Sequence, residues 1–395
     1  MEKIRVGVLG LRRGIAHLRN FLALDQAEVV AACDRFPYYR DQARVLVDSH
    51  GSSTELLAEF DDLLERKPDA VVVASNGRLQ VEHACMALEA GCHVLSEVPG
   101  ADTEHELIRL RDAVERTGLT YMLAENACYA GFLPYWRKWV LEDRFGPISI
   151  AEAEYLHYLP ETLFTPEGKR LSPHQARSAG AVNAKPIWRA DQPPIQYLTH
   201  DLGPLLEILD DRAVSVTCLS APWRCREAPL RSDGQIALFH TQKGTLIKIM
   251  VTLNTIRPSE HRYRLFGTAG SVEMFTYEEC TRYFDSGCSH KDGWRVLPVS
   301  RSAVDDATGG HGGTDLKVAG QFTDNLLKDR PSSIDVYRAI EYALPGIIAA
   351  RSADLGGTPI AIPDLRRVPF AGTDFWDTLQ IPETDPPSIN YRPPL

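Results

Sequence analysis

No stretch of this chain approaches the ~20 consecutive apolar residues of a membrane-spanning helix, and no lysine- and arginine-rich run offsets its acidic balance. The first absence argues against an integral membrane protein. The second, with a formal net charge of -10 at pH 7, argues against nucleic acid or an anionic membrane surface as partner. The eight cysteines are scattered. Cys33, Cys85 and Cys92 fall in strand and helix patterns, which points to buried reduced thiols and not to a disulfide framework. Cys280, Cys288 and His290 are near one another in sequence, but a fourth ligand and a recognised spacing are missing, so no metal is expected. Internal repeats and a signal-peptide core are absent too, which makes the cytoplasm the expected location.

What is present is the composition of an ordinary enzyme: 395 residues, 44% hydrophobic and 24% charged, enough for two domains with complete cores. Lys3 to Gly10 is an apolar strand running into a glycine turn, and Gly14 to Leu24 has helical spacing. Glu28 to Cys33 is a second apolar run that ends on Asp34, about 20 residues further on, where a carboxylate can hold an adenosine ribose. Gly10 permits the tight turn, and a helix opening near Gly14 offers N–H groups and a positive dipole end to a pyrophosphate. The full G-x-G-x-x-G pattern is not there, because Arg12 holds the middle position. Asp34 favours NAD, since its charge repels a 2′-phosphate; Arg35 beside it keeps NADP open.

The alternation continues with strands at Ala70–Ser75, His93–Ser96 and Leu119–Ala124 and helices at Leu79–Ala90 and Thr103–Thr117. Strands separated by helices imply a parallel, doubly wound sheet whose ligands lie beyond the strands' carboxyl ends. Ser75, Asn76, Glu97 and Glu125 fall at such ends. After a helix at Trp136–Leu141 the period changes to two, with strands near Ile148–Tyr158, Ala213–Leu219, Gly234–His240, Leu246–Leu253, Tyr263–Phe266 and Ser271–Phe275. Helices return at Leu316–Leu327 and Val336–Ala353, and a proline-rich tail is expected to run over the surface. The expected fold class is α/β: a Rossmann domain over 1–125, an α+β substrate and oligomerisation domain with an open, mostly antiparallel sheet over 126–360, and an extended tail over 361–395.

With these motifs in order, the chain resembles the Gfo/Idh/MocA oxidoreductase superfamily over nearly its whole length. Leu123–Tyr129, Glu154–His157, Trp188–Arg189, Tyr197–Pro204 and Gly309–Asp315 resemble the NAD-dependent glycosidases of glycoside hydrolase family 109 and relatives. There are departures. Most dehydrogenases of the superfamily have Glu-Lys-Pro where this chain has Glu97-Val98-Pro99, and the lysine contacts the hydroxyl being oxidised. Family 109 usually has Pro and Gly at Leu198 and Asp201, and methionine at Thr314, which leaves an N-acetylgalactosamine specificity unsupported.

The resemblance implies a glycosidase in which the sugar's C3 hydride passes transiently to tightly bound NAD. The C3 ketone then acidifies the C2 proton, the aglycone leaves C1 by elimination, water adds, and C3 is reduced again. It assigns Tyr155 as the C2 base, His200 to the C3 hydroxyl, and Glu125 with His157 to positioning and proton transfer. By the same resemblance Gly7, Gly10, Leu11, Arg12, Arg13, Gly14, Asp34, Arg35, Ser75, Asn76, His83, Glu97, Val98, Pro99, Asn126, Trp188 and Arg189 bind the cofactor. Tyr129, Lys185, Arg189, Tyr197 and His311 bind the sugar. A homo-oligomer, dimer or tetramer, is expected to cover the open sheet.

The residues read alone are less specific. Tyr155 and His157 are two apart on a strand and so share a face, yet such a pair is more often a matter of surface or sheet packing. His200 precedes a helical leucine stripe, and a helix start tends to keep a histidine neutral and basic; it also suits a plain first-turn residue. Glu125 suits a helix cap. An Arg189 facing the pocket favours an anionic sugar, a uronic acid or a sulfoquinovoside. An ordinary NAD(H)-dependent sugar dehydrogenase and a catalytically silent sensor stand as alternatives.

Overall fold

The computed structural model describes residues 3–224, 231–275, 280–288, 293–298, 310–366 and 389–391. The N-terminal part of the chain builds β1 (Ile4–Leu9), α1 (Leu11–Leu22), β2 (Ala27–Cys33), α2 (Pro37–Ser49), β3 (Glu55–Leu57), α3 (Phe60–Glu65), β4 (Ala70–Val73), α4 (Gln80–Glu89), β5 (His93–Ser96), α5 (Glu104–Thr117) and β6 (Tyr121–Leu123). The six strands pair in parallel in the order β3-β2-β1-β4-β5-β6, the Rossmann arrangement, with its crevice where the order reverses between β1 and β4. β4 reads Ala-Val-Val-Val and is buried throughout, as a central parallel strand covered on both faces must be. α5 is set by a Thr103–Glu106 capping box and stopped by Gly118 at φ +67°. α1 departs from expectation, opening at Leu11 directly after Gly10.

The remainder contributes α6 (Leu133–Leu141), β7 (Ile148–Leu156), β8 (Leu163–Phe164), β9 (Arg170–Leu171), α7 (Pro173–Ser178), β10 (Lys185–Pro186), α8 (Trp188–Asp191) and α9 (Thr199–Leu209). There follow β11 (Ala213–Ser220), β12 (Gly234–Thr241), β13 (Leu246–Thr252), β14 (Glu260–Gly267), β15 (Gly270–Phe275), β16 (Cys280–Asp285), β17 (Trp294–Pro298), α10 (Thr314–Leu327), α11 (Val336–Asp354), β18 (Ile360–Ala361) and β19 (Ile389–Tyr391). The large sheet runs β18-β11-β12-β13-β7-β14-β15-β16-β17-β19 and is antiparallel apart from the β7–β13 pair. β18 adds to one edge beside β11, and β19 to the other beside β17; residues 367–388 and 392–395 of the expected tail lie outside the described residues. β16, β17 and the small sheet β10-β8-β9 are elements that periodicity does not bring out.

One continuous hydrophobic core joins both parts, and Leu123 N–H donates to Ile334 O across them at 2.9 Å. Cys33, Cys85, Cys92, Cys128 and Cys218 are buried free thiols. His290 lies outside the described residues, and Cys288 Sγ lies 3.4 Å from Asp285 Oδ1. No described helix is long and apolar enough to cross a membrane.

Candidate active site

The glycine turn after β1 is fixed by space as well as by torsion. Gly10 has φ +88°, and a Cβ there would stand 2.5 Å from Ala74 O. The helix therefore starts at Leu11, not in the neighbourhood of Gly14. Gly14 N–H already donates to Gly10 O at 3.0 Å, and a Cβ at Gly14 would press on Val8 at 3.1 Å, so its smallness serves helix–strand packing. Gly7 is likewise a packing residue: a Cβ there would meet Leu63 at 2.6 Å. Asp34 accepts Leu11 N–H at 2.8 Å and Phe36 N–H at 2.9 Å. Burial raises its pKa, with both N–H bonds opposing.

A cavity of about 440 Å³ runs from this turn across the strand ends. Gly10, Arg12, Arg13, Asp34, Arg35, Ser75, Asn76 and His83 line one stretch; Glu97, Val98, Trp188, Arg189 and Tyr197 line the other. Leu11 and Pro99 are buried. The chain between β8 and β9 reaches over the Asp34 end: Phe164 meets Phe36 edge-on at 6.3 Å, and Tyr39 OH donates to Gly168 O at 2.7 Å. From there Arg170 joins Arg12 in the wall. Burial lowers the pKa of Arg12, and burial with Arg12 beside it brings Arg170 down to about 10. Two crowded guanidiniums between Asp34 and the Val98 end suit the diphosphate of a dinucleotide.

Glu97 is taken up inside the protein. Its Oε1 lies 2.7 Å from His17 Nε2 and 2.9 Å from Arg13 Nε, and its Oε2 accepts Val98 N–H at 3.2 Å. Burial alone would raise its carboxyl, but Arg13 and His17 pull it down to about 2. Arg13 also forks onto Asp315 at 2.9 and 3.0 Å, and Asn126 Nδ2 donates to Asp315 Oδ1 at 2.7 Å. His311, tied to Asp315 at 3.2 Å, and Asn126 thus brace Arg13 at the start of α10. Neither is among the residues lining the cavity. Sequence reasoning does not find His17 or Asp315 in this role.

Beyond Tyr197 the chain gathers an aromatic and imidazole cluster. Tyr155, near the end of β7, and His157 do share a face, with ring centroids 4.5 Å apart. His200 in the first turn of α9 stacks on Tyr155 at 5.8 Å and 12°, and its Nδ1 lies 2.6 Å from Glu125 Oε1. Tyr197 packs edge-on to Tyr155 at 5.4 Å and to His200 at 5.3 Å. The Arg189 guanidinium lies 3.9 Å over the Tyr197 ring and donates to Tyr197 OH. Glu125 also caps the following turn by accepting Ala127 N–H at 3.1 Å, so both readings of this residue hold.

The electrostatics correct the expectation for His200 and define the state of Tyr155. His200 is not held below its usual value by the helix start: burial acts downward, but Glu125, with Asp201 and Glu97 behind it, raises the pKa. Tyr155 gets no net help towards ionisation, because burial and Tyr197 raise it well above the usual value against Arg189 alone among its leading influences. His157 is driven down to about 3 by burial, then by His261 and Arg189, which keeps it neutral. Besides His311, two more expected sugar contacts lie elsewhere. Tyr129 is buried with its OH 2.8 Å from Ser333 Oγ, a packing residue, and Lys185 sits exposed on β10. Asp201, within the Tyr197–Pro204 motif, and His261, which no motif marks, lie 3.0 Å apart and belong to the cluster.

Residues 4–125 match the oxidoreductase family model GFO_IDH_MocA, an NAD-binding Rossmann fold, and residues 230–371 match the C-terminal domain of glycosyl hydrolase 109. The N-terminal part of the chain thus resembles the Gfo/Idh/MocA oxidoreductases, and the chain as a whole resembles the family 109 glycosyl hydrolases. A family 109 protein of Saccharopolyspora erythraea is 27% identical, over 94% of this chain and 86% of that one. One of Akkermansia muciniphila is 25% identical over 93% and 84%. In fold the chain is similar to levoglucosan dehydrogenase in complex with NADH and levoglucosan (TM-score 0.75, 17% identity, 92% of this chain and 100% of that one). The WlbA dehydrogenase from Bordetella pertussis, in complex with NADH and UDP-GlcNAcA, is similar too (TM-score 0.73, 21% identity, 92% and 98%). The protein is an NAD-dependent enzyme, a glycosidase or a sugar dehydrogenase.

Proposed function

We propose that the chain is a glycosidase that keeps its NAD and works without net redox change. The observation that carries this reading is Tyr155 stacked on a Glu125-bound His200, both packed against Tyr197, which lines the cavity together with Val98 in the lysine's place. When bound, NAD supplies the acceptor and later the donor of the C3 hydride. Neutral His200 takes the C3 hydroxyl proton as that hydride leaves, and Glu125 stabilises the imidazolium. An imidazolium 5.8 Å from the Tyr155 ring favours the phenolate by about 3 kcal/mol at an effective dielectric of about 20. Tyr155 therefore becomes a base once C3 is a ketone, which is when the C2 proton is acidic. As Tyr155 takes the C2 proton, its phenol proton passes to neutral His157, whose ring lies 4.5 Å away, and from there to the C1 oxygen of the departing aglycone. Gly10, Arg12, Asp34, Ser75, Asn76, Val98 and Trp188 are assigned to the cofactor, and Arg189 with Tyr197 to the sugar.

The β8–β9 cover over the Asp34 end supports retention of the cofactor between turnovers. Arg189, facing the cavity, supports an anionic glycoside such as a sulfoquinovoside. Ile150, Ile236 and Leu238 are exposed on the large sheet, which supports a homo-oligomer, to be checked by sedimentation. The test of function is a panel of 4-nitrophenyl glycosides, neutral and anionic and of both anomers, with catalytic NAD⁺. Aglycone release without NADH accumulation is expected; NADH accumulating from free sugars with no aglycone release makes the protein a dehydrogenase.

A further inference from the structure

A second buried carboxylate faces the same tyrosine. Asp201, in the first turn of α9, is 0% exposed, and its Oδ1 lies 3.0 Å from Nδ1 of His261. His261 stands on β14 in register opposite Tyr155 of β7. Its ring meets the Tyr155 ring edge-on at 4.9 Å and lies 5.8 Å from His200. Tyr155 is thus flanked by two carboxylate–imidazole pairs, Glu125–His200 on its face and Asp201–His261 against it from the neighbouring strand. A wholly buried aspartate is costly unless it is paired, and here its one described side-chain hydrogen bond is to that imidazole. The strands and α9 are already tied by Tyr263 OH donating to His200 O at 2.7 Å, so the pair is not needed as a strut.

We propose that Asp201 and His261 are a positioning pair for Tyr155, in which His261 acts on C2 proton transfer and not on C3 hydride transfer. Asp201 accepts the Nδ1–H of His261, which fixes the ring's tautomer and orientation. The fixed ring holds the phenol against its neighbour and denies that side to water. His200 reaches Glu125 by a separate bond, so the hydride half-reaction does not depend on His261. The proposal rests on the reading of Tyr155 as the C2 base.

The test uses the full NAD-loaded protein and a 4-nitrophenyl glycoside that the wild type hydrolyses, in D₂O. Single-turnover absorbance of reduced nicotinamide reports hydride transfer, and mass spectrometry of the sugar reports deuterium entering C2. His261→Gln is expected to slow C2 exchange about tenfold or more while hydride transfer stays within about twofold. Asp201→Asn keeps an oxygen acceptor for Nδ1–H and is expected to retain most of the exchange. Both half-reactions slowing together, neither slowing, or Asp201→Asn behaving no better than His261→Gln overturns the positioning role. A wild type that shows no C2 exchange fails one step earlier, at Tyr155 itself, and the proposal falls with that reading.

Discussion

Replacing Glu125 by glutamine isolates the charge that holds His200. The carboxylate is 0% exposed and accepts from His200 Nδ1 at 2.6 Å and from Ala127 N–H at 3.1 Å. An amide oxygen can accept both bonds, so the substitution removes charge with little change of shape. In the wild type the charge and hydrogen bond of Glu125 outweigh burial and raise the His200 pKa; in Glu125→Gln burial prevails and the pKa falls. A base must be neutral to act, so the acid limb of the kcat/KM profile is expected to move to lower pH. Stability gives an independent reading. A raised folded pKa stabilises fully below the unfolded value of about 6.5, and this stabilisation is lost as pH rises through the folded pKa. The unfolding free-energy difference, wild type minus variant, is therefore largest near pH 5 and shrinks towards pH 9, with a ceiling of about 1.5–3 kcal/mol for a hydrogen bond to a charged group. Urea denaturation across that range measures it. A difference independent of pH, or an acid limb that moves upward, refutes the reasoning.

Tyr155→Phe keeps the stacked ring and is expected to lower glycosidase turnover by about 10²–10⁴-fold while transient nicotinamide reduction persists in stopped-flow traces. Gly10→Ala places a Cβ 2.5 Å from Ala74 O at φ +88°, so backbone strain of about 1–3 kcal/mol should lower Tm and weaken NAD binding, both read from thermal melts with and without NAD. Asp315→Ala leaves Arg13 with Glu97 alone and is expected to cost about 3 kcal/mol, the low end for a buried pair because the Arg13 side chain is 27% exposed; denaturant melts would report it.

The first βα unit is legible in the sequence because its signals are local: an apolar strand, a glycine that the turn requires, and Asp34 at the next strand end. The helix start is harder to place, because Leu11, Arg12 and Arg13 carry no cap signal and Gly14 offers a false one. In the second domain, β7 and β11 to β15 follow a period of two, whereas β18 and β19 exist only through partners far away in sequence, β11 and β17. Periodicity cannot reveal such pairing. Motifs lead to the cluster of Tyr155, Tyr197, His200 and Glu125 but not to its charge state, since that depends on a 2.6 Å contact between residues 75 apart. His261 carries no local mark, and its part follows only from the β7–β14 register. Glu97, Arg13 and Asp315 show the same lesson: an expected cofactor carboxylate turns out to be engaged by its own protein.

The most direct measurement is the isotope content of the sugar released in D₂O from a hydrolysed 4-nitrophenyl glycoside, followed by NMR at C2. Tyr155 exchanging the C2 proton with solvent predicts deuterium at C2 of the free sugar, with protium kept at C3 and no NADH accumulating. Aglycone release with protium fully retained at C2 would contradict the elimination route and, with it, the role of Tyr155 as the C2 base.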